Sequence, residues 1–118
     1  MKIVLVLLSL GLSLALTWAE SNISPPVVKV YTAEPVDFGK TNEVICYVYN
    51  YHPPRLEMRL EKNGVEIPDC KQTDPSFQHN WKYYTMKSTH VHIDKGDKVE
   101  CVVSHNGNPS KKYRLDIF

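Results

Sequence analysis

Glu43-Val44-Ile45-Cys46-Tyr47-Val48-Tyr49 is the stretch that decides the fold of this chain. A second alternating run, Lys98-Val99-Glu100-Cys101-Val102-Val103, carries a cysteine 55 positions after the first. Successive side chains of a strand point to opposite faces of a sheet, so each cysteine shares its face with the valines two positions away. Two such strands, in two stacked sheets, can be bridged by one disulfide. The runs therefore predict an all-β sandwich with a Cys46–Cys101 bridge.

Turn signals between alternating apolar runs divide the rest of the chain into short strands, which favours an all-β fold over a helical one. The seven predicted strands are Val27–Thr32, Glu43–Asn50, Leu56–Lys62, Val65–Lys71, Lys82–Ile93, a sixth around Cys101, and Lys111–Ile117. Pro68 cannot donate a hydrogen bond to a neighbouring strand, so the fourth strand is predicted at a sheet edge. The buried face of the fifth strand stays open, because aromatic residues occur in both phases, at Tyr83 and Tyr84.

The N-terminus predicts a secretion signal over residues 1–19. Met1-Lys2 gives a basic start, an apolar stretch follows, and Thr17-Trp18-Ala19 ends in a small residue suited to cleavage. The apolar stretch is shorter than the roughly 20 residues of a membrane span. Cleavage after Ala19 would leave one extracellular domain, residues 20–118, secreted or held at the cell surface by a partner. Its 14 − 1 = 13 basic residues balance 13 acidic ones, so neither nucleic acid binding nor membrane insertion is expected.

Three cysteines leave Cys70 outside the predicted bridge. We expect a free thiol at a sheet edge, with an intermolecular disulfide or a swap into the main bridge as the alternatives. Asn22-Ile23-Ser24 is an N-glycosylation sequon at the mature N-terminus.

Chemistry-bearing residues are sparse. His90 and His92 would share one strand face like two metal ligands, but a zinc site requires a third or fourth ligand and none is evident. We therefore expect solvated histidines and no cofactor. No Ser/His/Asp or Cys/His arrangement and no glycine-rich phosphate loop is present, so the chain is not expected to be an enzyme.

Aromatic residues give the strongest functional signal. Tyr47 is out of phase with Cys46 and so points away from the core, and Tyr49 shares that outward face. Trp81 lies in a loop between polar neighbours and is hard to bury. Exposed aromatic residues grouped on one surface are typical of a partner-binding site. For Tyr83, packing in the core and contact with a partner are equally favoured.

The chain resembles the light chains of class I major histocompatibility molecules, which are constant-type (C1) immunoglobulin domains. The matching residues are Val30-Tyr31, Gly39-Lys40, Cys46-Tyr47-Val48, His52-Pro53, Lys62-Asn63-Gly64, Ser76-Phe77, Trp81 with Tyr84, and Cys101 through His105. The third strand lacks the tryptophan that other constant domains carry, and Trp81 stands before the fifth strand instead. Thr85, Lys87 and Val99 depart from the pattern, which indicates a distant vertebrate member such as one from a fish.

The resemblance implies a seven-stranded C1 sandwich that binds the class I heavy chain non-covalently, while the heavy chain itself holds the peptide presented to T cells. It implies a cis bond at His52-Pro53. It also implies these contact residues: Tyr31, Tyr47, His52, Asp74, Phe77, Trp81, Tyr83, Tyr84 and Met86. Phe77 and Trp81 would lie beneath the peptide platform, and Tyr31 and Tyr47 against the heavy chain's immunoglobulin domain. Alternatives are a secreted immunoglobulin-like module that binds another receptor or itself, and a small enzyme or metal carrier using His90 and His92.

Overall fold

The computed structural model describes residues 23–78 and 81–116, which form nine antiparallel strands in two sheets. The strands are β1 (Val27–Thr32), β2 (Lys40–Tyr51), β3 (Leu56–Lys62), β4 (Val65–Glu66), β5 (Lys71–Gln72), β6 (Ser76–Phe77), β7 (Tyr83–Ile93), β8 (Val99–His105) and β9 (Lys111–Arg114). In these two ranges no helix is long and apolar enough to span a bilayer.

The two sheets enclose one core. The five-stranded sheet runs β1-β2-β7-β5, with β6 also paired to β7, and the four-stranded sheet runs β4-β3-β8-β9. Cys46 and Cys101 are fully buried at the centre of the core and are disulfide-bonded, with their Cα atoms 6.2 Å apart. The apolar side chains packed around them include Val44, Val48, Leu60, Val99 and Val103. The predicted all-β sandwich and its bridge are therefore confirmed.

Strand bounds follow the alternating pattern closely where that pattern is unbroken. The first and third strands have the predicted bounds. The second is longer than predicted, because the pairing of β2 with the long strand β7 continues through Lys40 and Tyr51. The last strand ends at Arg114, before its predicted end at Ile117, which lies outside the described residues.

The predicted fourth strand, Val65–Lys71, is wrong as a single element. Its start is β4, which pairs with β3, whereas Lys71 belongs to β5, which pairs with β7 of the other sheet. Between them lies Pro68, which has no N–H for a ladder, and Asp69, whose φ of 58° bends the backbone. The chain crosses from one sheet to the other here, and both short strands lie at sheet edges. This division, together with β6, turns seven predicted strands into nine observed ones.

The two polar residues that depart from the family pattern in β7 face inward and are satisfied there. Thr85 is 1% exposed and donates its hydroxyl hydrogen to the carbonyl oxygen of Thr73 at 2.7 Å. The Lys87 ammonium donates to the carbonyl oxygen of Met58 at 2.9 Å. Because a buried polar group is costly only when it is unpaired, the inward phase of β7 tolerates both residues. The sequence left open which face of this strand is buried. In the structure the side chains of Tyr83, Thr85 and Lys87 are the ones that point toward the core.

A β-bulge near the end of β2 resets the alternation of that strand. The register with β7 shifts between Tyr49 and Tyr51, and the intervening Asn50 has a φ of 67°. Tyr49 keeps the outward phase of the strand, and the extra residue after it turns Tyr51 inward, where it is fully buried. The next turn contains the His52–Pro53 peptide bond, which is cis as the resemblance implied.

The predicted secretion signal, residues 1–19, and the sequon residue Asn22 lie outside the described residues. Both remain predictions.

Candidate protein-binding surface

The outward side chains of β1, β2 and β7 form three rows across the five-stranded sheet, because residues directly opposite in antiparallel strands share a face. The rows are Val27, Tyr49 and Tyr84; then Lys29, Tyr47 and Met86; then Tyr31, Ile45 and Ser88. We call these nine residues the outer aromatic face. All but Lys29 and Ser88 are apolar or aromatic, so the face is unusual for a sheet surface turned to solvent.

Three tyrosines form a ring cluster within the outer aromatic face. Tyr47 and Tyr49 are stacked, with ring centroids 5.0 Å apart and an interplanar angle of 21°. Tyr84 tilts against Tyr47 at 6.4 Å and is 38% exposed. Tyr31 is separate from this cluster and is 40% exposed at the outer strand β1. Tyr47 therefore points outward, as its phase in the strand predicted.

Phe77 and Trp81, which we call the aromatic tip, project from one end of the sandwich. Trp81 is 80% exposed and Phe77 58% exposed, although both side chains are large and apolar. Their rings meet edge to face at 6.3 Å. The backbone of Trp81 has a φ of 64°, and its amide donates to the carbonyl of Gln78 at 3.2 Å. Trp81 is thus anchored through its backbone while its ring stays in solvent.

Half-buried rings support the tip from beneath. Tyr83 stacks on Phe77 at a centroid distance of 4.2 Å. The ring of His52 in turn stacks on Tyr83, with the two centroids 6.1 Å apart. Tyr83 also packs against the core, next to fully buried Tyr51 at 6.2 Å. Burial, and to a smaller extent Tyr83, raises the pKa of Tyr51 to about 12. Tyr83 and His52 thus connect the aromatic tip to the core.

The remaining predicted contact residues lie on or near these two surfaces. Met86 is half-buried in the middle row of the outer aromatic face. Asp74 is exposed, and its backbone carbonyl accepts a hydrogen bond of 3.4 Å from the hydroxyl of Ser76 at the start of β6. The outer aromatic face and the aromatic tip meet where Tyr84 and Ser76 are paired. Tyr31 lies apart on β1, and the structure brings the other predicted residues into one region around β2, β6 and β7.

Three of the apolar and aromatic residues of the outer aromatic face were not predicted as contacts. Val27, 40% exposed, and half-buried Ile45 are ordinary strand residues whose position depends on which strands pair. Tyr49 was predicted to face outward but was assigned no contact, because its place opposite Tyr84 depends on the register of β2 with β7. Once β1 is paired with β2, strand alternation indicates that Val27 and Ile45 lie on the outer face.

The outer side of the four-stranded sheet has a different character, because its charges are paired with one another. Arg59 Nε donates to Glu61 Oε2 at 2.9 Å, and Lys112 Nζ lies 3.5 Å from Glu61 Oε1. The hydrogen bond from Arg59, together with the charge of Lys112, holds the pKa of Glu61 below its usual range. A surface whose charges already satisfy one another offers less to an apolar partner than the outer aromatic face does.

His90, His92 and Cys70 belong to no metal-binding group within the described residues. His90 and His92 are exposed, and His92 Nε2 lies 3.0 Å from Asp94 Oδ1. Residues 23–78 and 81–116 contain no group of three or more histidine, cysteine or acidic side chains placed to hold a metal ion. Cys70 has a free, half-buried thiol whose Sγ lies 3.2 Å from the carbonyl oxygen of Ile67.

The fold, its single bridge and its exposed aromatic surface define a C1-set immunoglobulin domain, and the C1-set family matches residues 28–108. A protein named beta-2-microglobulin from Xenopus laevis is 95% identical over all 118 residues, covering 100% of both chains. The chain therefore belongs to the beta-2-microglobulin family, which is non-catalytic.

More distant relatives carry the same name. A beta-2-microglobulin from Paralichthys olivaceus is 44% identical over 94 residues, covering 80% of this chain and 81% of its own. One from Tachyglossus aculeatus aculeatus is 37% identical over 97 residues, covering 82% of each chain. The Xenopus laevis protein is thus far more similar to this chain than the Paralichthys olivaceus protein is.

Proposed function

We propose that this chain is the light chain of a class I major histocompatibility complex and that the outer aromatic face and the aromatic tip bind the heavy chain. Membership in the beta-2-microglobulin family supports the light-chain role and an extracellular location. The observation that carries the binding site is the exposure of Trp81 and Phe77, at 80% and 58%, beside a sheet face made of tyrosines. Secretion through removal of residues 1–19 completes the proposal.

The mechanism is packing coupled to stability. Aromatic residues with large buried area are preferred anchors of protein interfaces. In this proposal Phe77 and Trp81 lie beneath the heavy chain's peptide platform, while Tyr31, Tyr47 and neighbouring outer residues lie against its immunoglobulin domain. A partner that binds only the folded heavy chain stabilises it by RT ln(1 + [L]/Kd), about 2.7 kcal/mol at 100 times Kd. The heavy chain, so stabilised, holds the peptide, and the light chain takes no part in chemistry.

The remaining predicted contacts have graded roles in this proposal. Met86 and Tyr84 belong to the outer aromatic face and would touch the heavy chain directly. His52 and Tyr83 would act mainly by supporting Phe77, since their rings are half-buried and stacked. Exposed Asp74 would hydrogen-bond the underside of the platform.

The test is the double variant Trp81→Ala with Tyr47→Ala. Both side chains are on the surface, so the variant should stay folded by thermal unfolding. Loss of two interface anchors, each worth roughly 2 kcal/mol, should weaken heavy-chain assembly by at least about 100-fold. Val65→Ala removes an apolar side chain that is 70% exposed in β4 of the other sheet, and serves as the matched control. Assembly of the folded double variant at the parent level would refute the assigned surface.

Purification distinguishes the proposed light chain from the alternative, a module that binds itself or another receptor. The secreted chain should be recovered with a larger class I heavy chain when it is isolated from cells and its partners are identified by mass spectrometry. Recovery as a homodimer would favour the alternative.

A further inference from the structure

We propose that Tyr49 is a positioning residue of the outer aromatic face: it holds the ring of Tyr47 in the orientation in which Tyr47 meets the partner. The inference rests on the proposed function, with the heavy chain's immunoglobulin domain as the occupant of this face. It adds a residue to which neither the sequence nor the family comparison assigned a role.

The first support is ring geometry. Tyr47 contacts two other rings, Tyr49 at a centroid distance of 5.0 Å and Tyr84 at 6.4 Å. The nearly parallel stack with Tyr49, at 21°, covers one flat side of the Tyr47 ring. Offset-stacked aromatic pairs at this separation are attractive beyond the area that they bury. Tyr47 is therefore restricted to a narrow range of side-chain orientations before any partner arrives.

The second support is the way in which Tyr49 is itself held. The following residue, Asn50, is the bulge residue of β2, and its amide donates to the Gln78 side-chain oxygen at 3.2 Å. Its carbonyl oxygen accepts a hydrogen bond of 2.8 Å from the Ser24 hydroxyl. These bonds connect β2 to the loop beyond β6 and to the segment before β1. They hold the backbone immediately after Tyr49 in place, while the regular register of β2 with β7 directs Tyr49 outward.

The third support is position. Tyr49 pairs with Val27 on one side and with Tyr84 on the other, and Tyr84 in turn pairs with Ser76, next to Phe77. This row joins the outer aromatic face to the aromatic tip. A partner that covers both surfaces must cross it, so the Tyr47–Tyr49 stack lies inside the contact.

The consequence is a pre-ordered anchor. Ordering a free side chain on association weakens binding, whereas a side chain ordered during folding brings no such cost to the complex. A Tyr47 ring released from Tyr49 would have to be ordered by the heavy chain. Removing the Tyr49 ring should therefore weaken the complex even where Tyr47 is intact, and should have little effect where Tyr47 is already absent.

Surface plasmon resonance with a soluble class I heavy-chain ectodomain from Xenopus laevis, refolded with peptide, tests this. Tyr49→Ser should raise Kd about tenfold, mainly through faster dissociation, whereas Tyr49→Phe keeps the ring and should stay within about twofold of the parent. In the Tyr47→Ala background, Tyr49→Ser should change Kd by less than about twofold. Val65→Ser, on the other sheet, is the control for a surface apolar-to-polar change.

A second readout uses the free chain alone. In the NMR spectrum, the ring resonances of Tyr47 should move toward random-coil shifts in Tyr49→Ser and keep their parent positions in Tyr49→Phe. Thermal unfolding confirms that each variant is folded. This readout requires no heavy chain, so it tests the ring stack even if one variant assembles poorly.

The outcomes separate the two proposals. Parent-like binding by Tyr49→Ser would overturn the positioning role, and so would additive effects of Tyr47→Ala and Tyr49→Ser in the variant that combines them. In either case, weakened binding by Tyr47→Ala would leave the proposed function intact. Parent-like binding by Tyr47→Ala and by the Trp81→Ala, Tyr47→Ala double variant would instead remove the proposed binding surface itself.

Discussion

The ammonium group of Lys87 in β7 reaches across the core to the carbonyl oxygen of Met58 in β3, 2.9 Å away on the opposite sheet. Lys87 pairs in register with Cys46, and Met58 lies two residues before Leu60, the register partner of Cys101. The two sheets are thus joined by a polar link directly beside the disulfide. Its donor is charged, and hydrogen bonds with a charged partner are stronger than neutral ones.

Lys87→Ala should lower the free energy of unfolding by about 1–2 kcal/mol, because the Met58 carbonyl loses a charged donor and the lysine stem leaves a gap. Lys87→Met refills most of that space and should cost less. Denaturant unfolding measures both. Lys71→Ala, exposed on the neighbouring strand β5, should stay within about 0.5 kcal/mol of the parent. A Lys87→Ala variant as stable as this control would show that the hydrogen bond adds nothing.

Removal of the Cys46–Cys101 bridge should cost far more. By the chain-entropy model, a closed loop of 55 residues stabilises by on the order of 4 kcal/mol. Cys46→Ala with Cys101→Ala should therefore lower the denaturant midpoint markedly, and the parent under reducing conditions should shift in the same direction. Cys70→Ser, outside the bridge, is the control and should unfold close to the parent. A reduced parent as stable as the oxidised one would contradict the prediction.

The pH dependence of stability should carry a contribution from Glu61. Its pKa is lowered in the folded chain from the ordinary value of 4.5, chiefly by the hydrogen bond from Arg59. A carboxyl whose folded pKa is depressed stabilises the fold above its unfolded pKa and loses that contribution as the pH falls through the folded pKa. Stability should therefore decline below about pH 4.5 as Glu61 takes up a proton.

Glu61→Gln tests this directly. Because Arg59 is partly exposed, the loss at pH 7 should be only about 0.5–1 kcal/mol. Between pH 6 and pH 3 the variant should lose less stability than the parent does. Glu57→Gln, an exposed neighbour in β3, is the matched control. Parallel pH profiles for the parent and Glu61→Gln would contradict the assignment.

Asn63, in the turn between β3 and β4, should be the key residue that ties this turn to the loop before β8. Its side chain donates to Asp97 Oδ1 at 3.0 Å and accepts from the amide of Lys98 at 2.9 Å, while its φ is 53°. Asn63→Ala loses both bonds and strains the backbone, so it should cost about 1–2 kcal/mol. Asn63→Gly loses the bonds without the strain and should cost less. Equal losses in thermal or denaturant unfolding would mean that φ has no part in the effect.

The fold could be predicted where one face of a strand is buried without interruption. β1 and β3 have their predicted bounds because alternation alone determines them. The division of the fourth strand could not be predicted, since Pro68 indicates an edge but not which of two sheets the chain joins afterwards. The phase of β7 was equally hidden, because the partners that satisfy Thr85 and Lys87, the carbonyls of Thr73 and Met58, are distant in sequence.

The binding surface could be predicted only in part, for the same reason. Tyr47 and Trp81 stood out locally, one from its phase and the other from its polar neighbours. Val27 and Ile45 gain significance only through the register of β1 with β2. Tyr49 gains its place opposite Tyr84 only through the register of β2 with β7, and the inward phase of Tyr51 depends on a bulge that no local pattern indicates. Which residues meet across strands is tertiary information, and the sequence contains it only indirectly.

The extra residue at Asn50 lets one continuous ribbon serve both an external contact and the interior. If the strand kept every residue but ran without this bulge, strict two-residue periodicity would put Tyr51 on the solvent side with Tyr47 and Tyr49. The interior would then lose a fully buried ring. Deleting Asn50 would instead bring Tyr51 directly after outward Tyr49, in the inward phase, so a one-codon deletion here should leave both rings on their present sides.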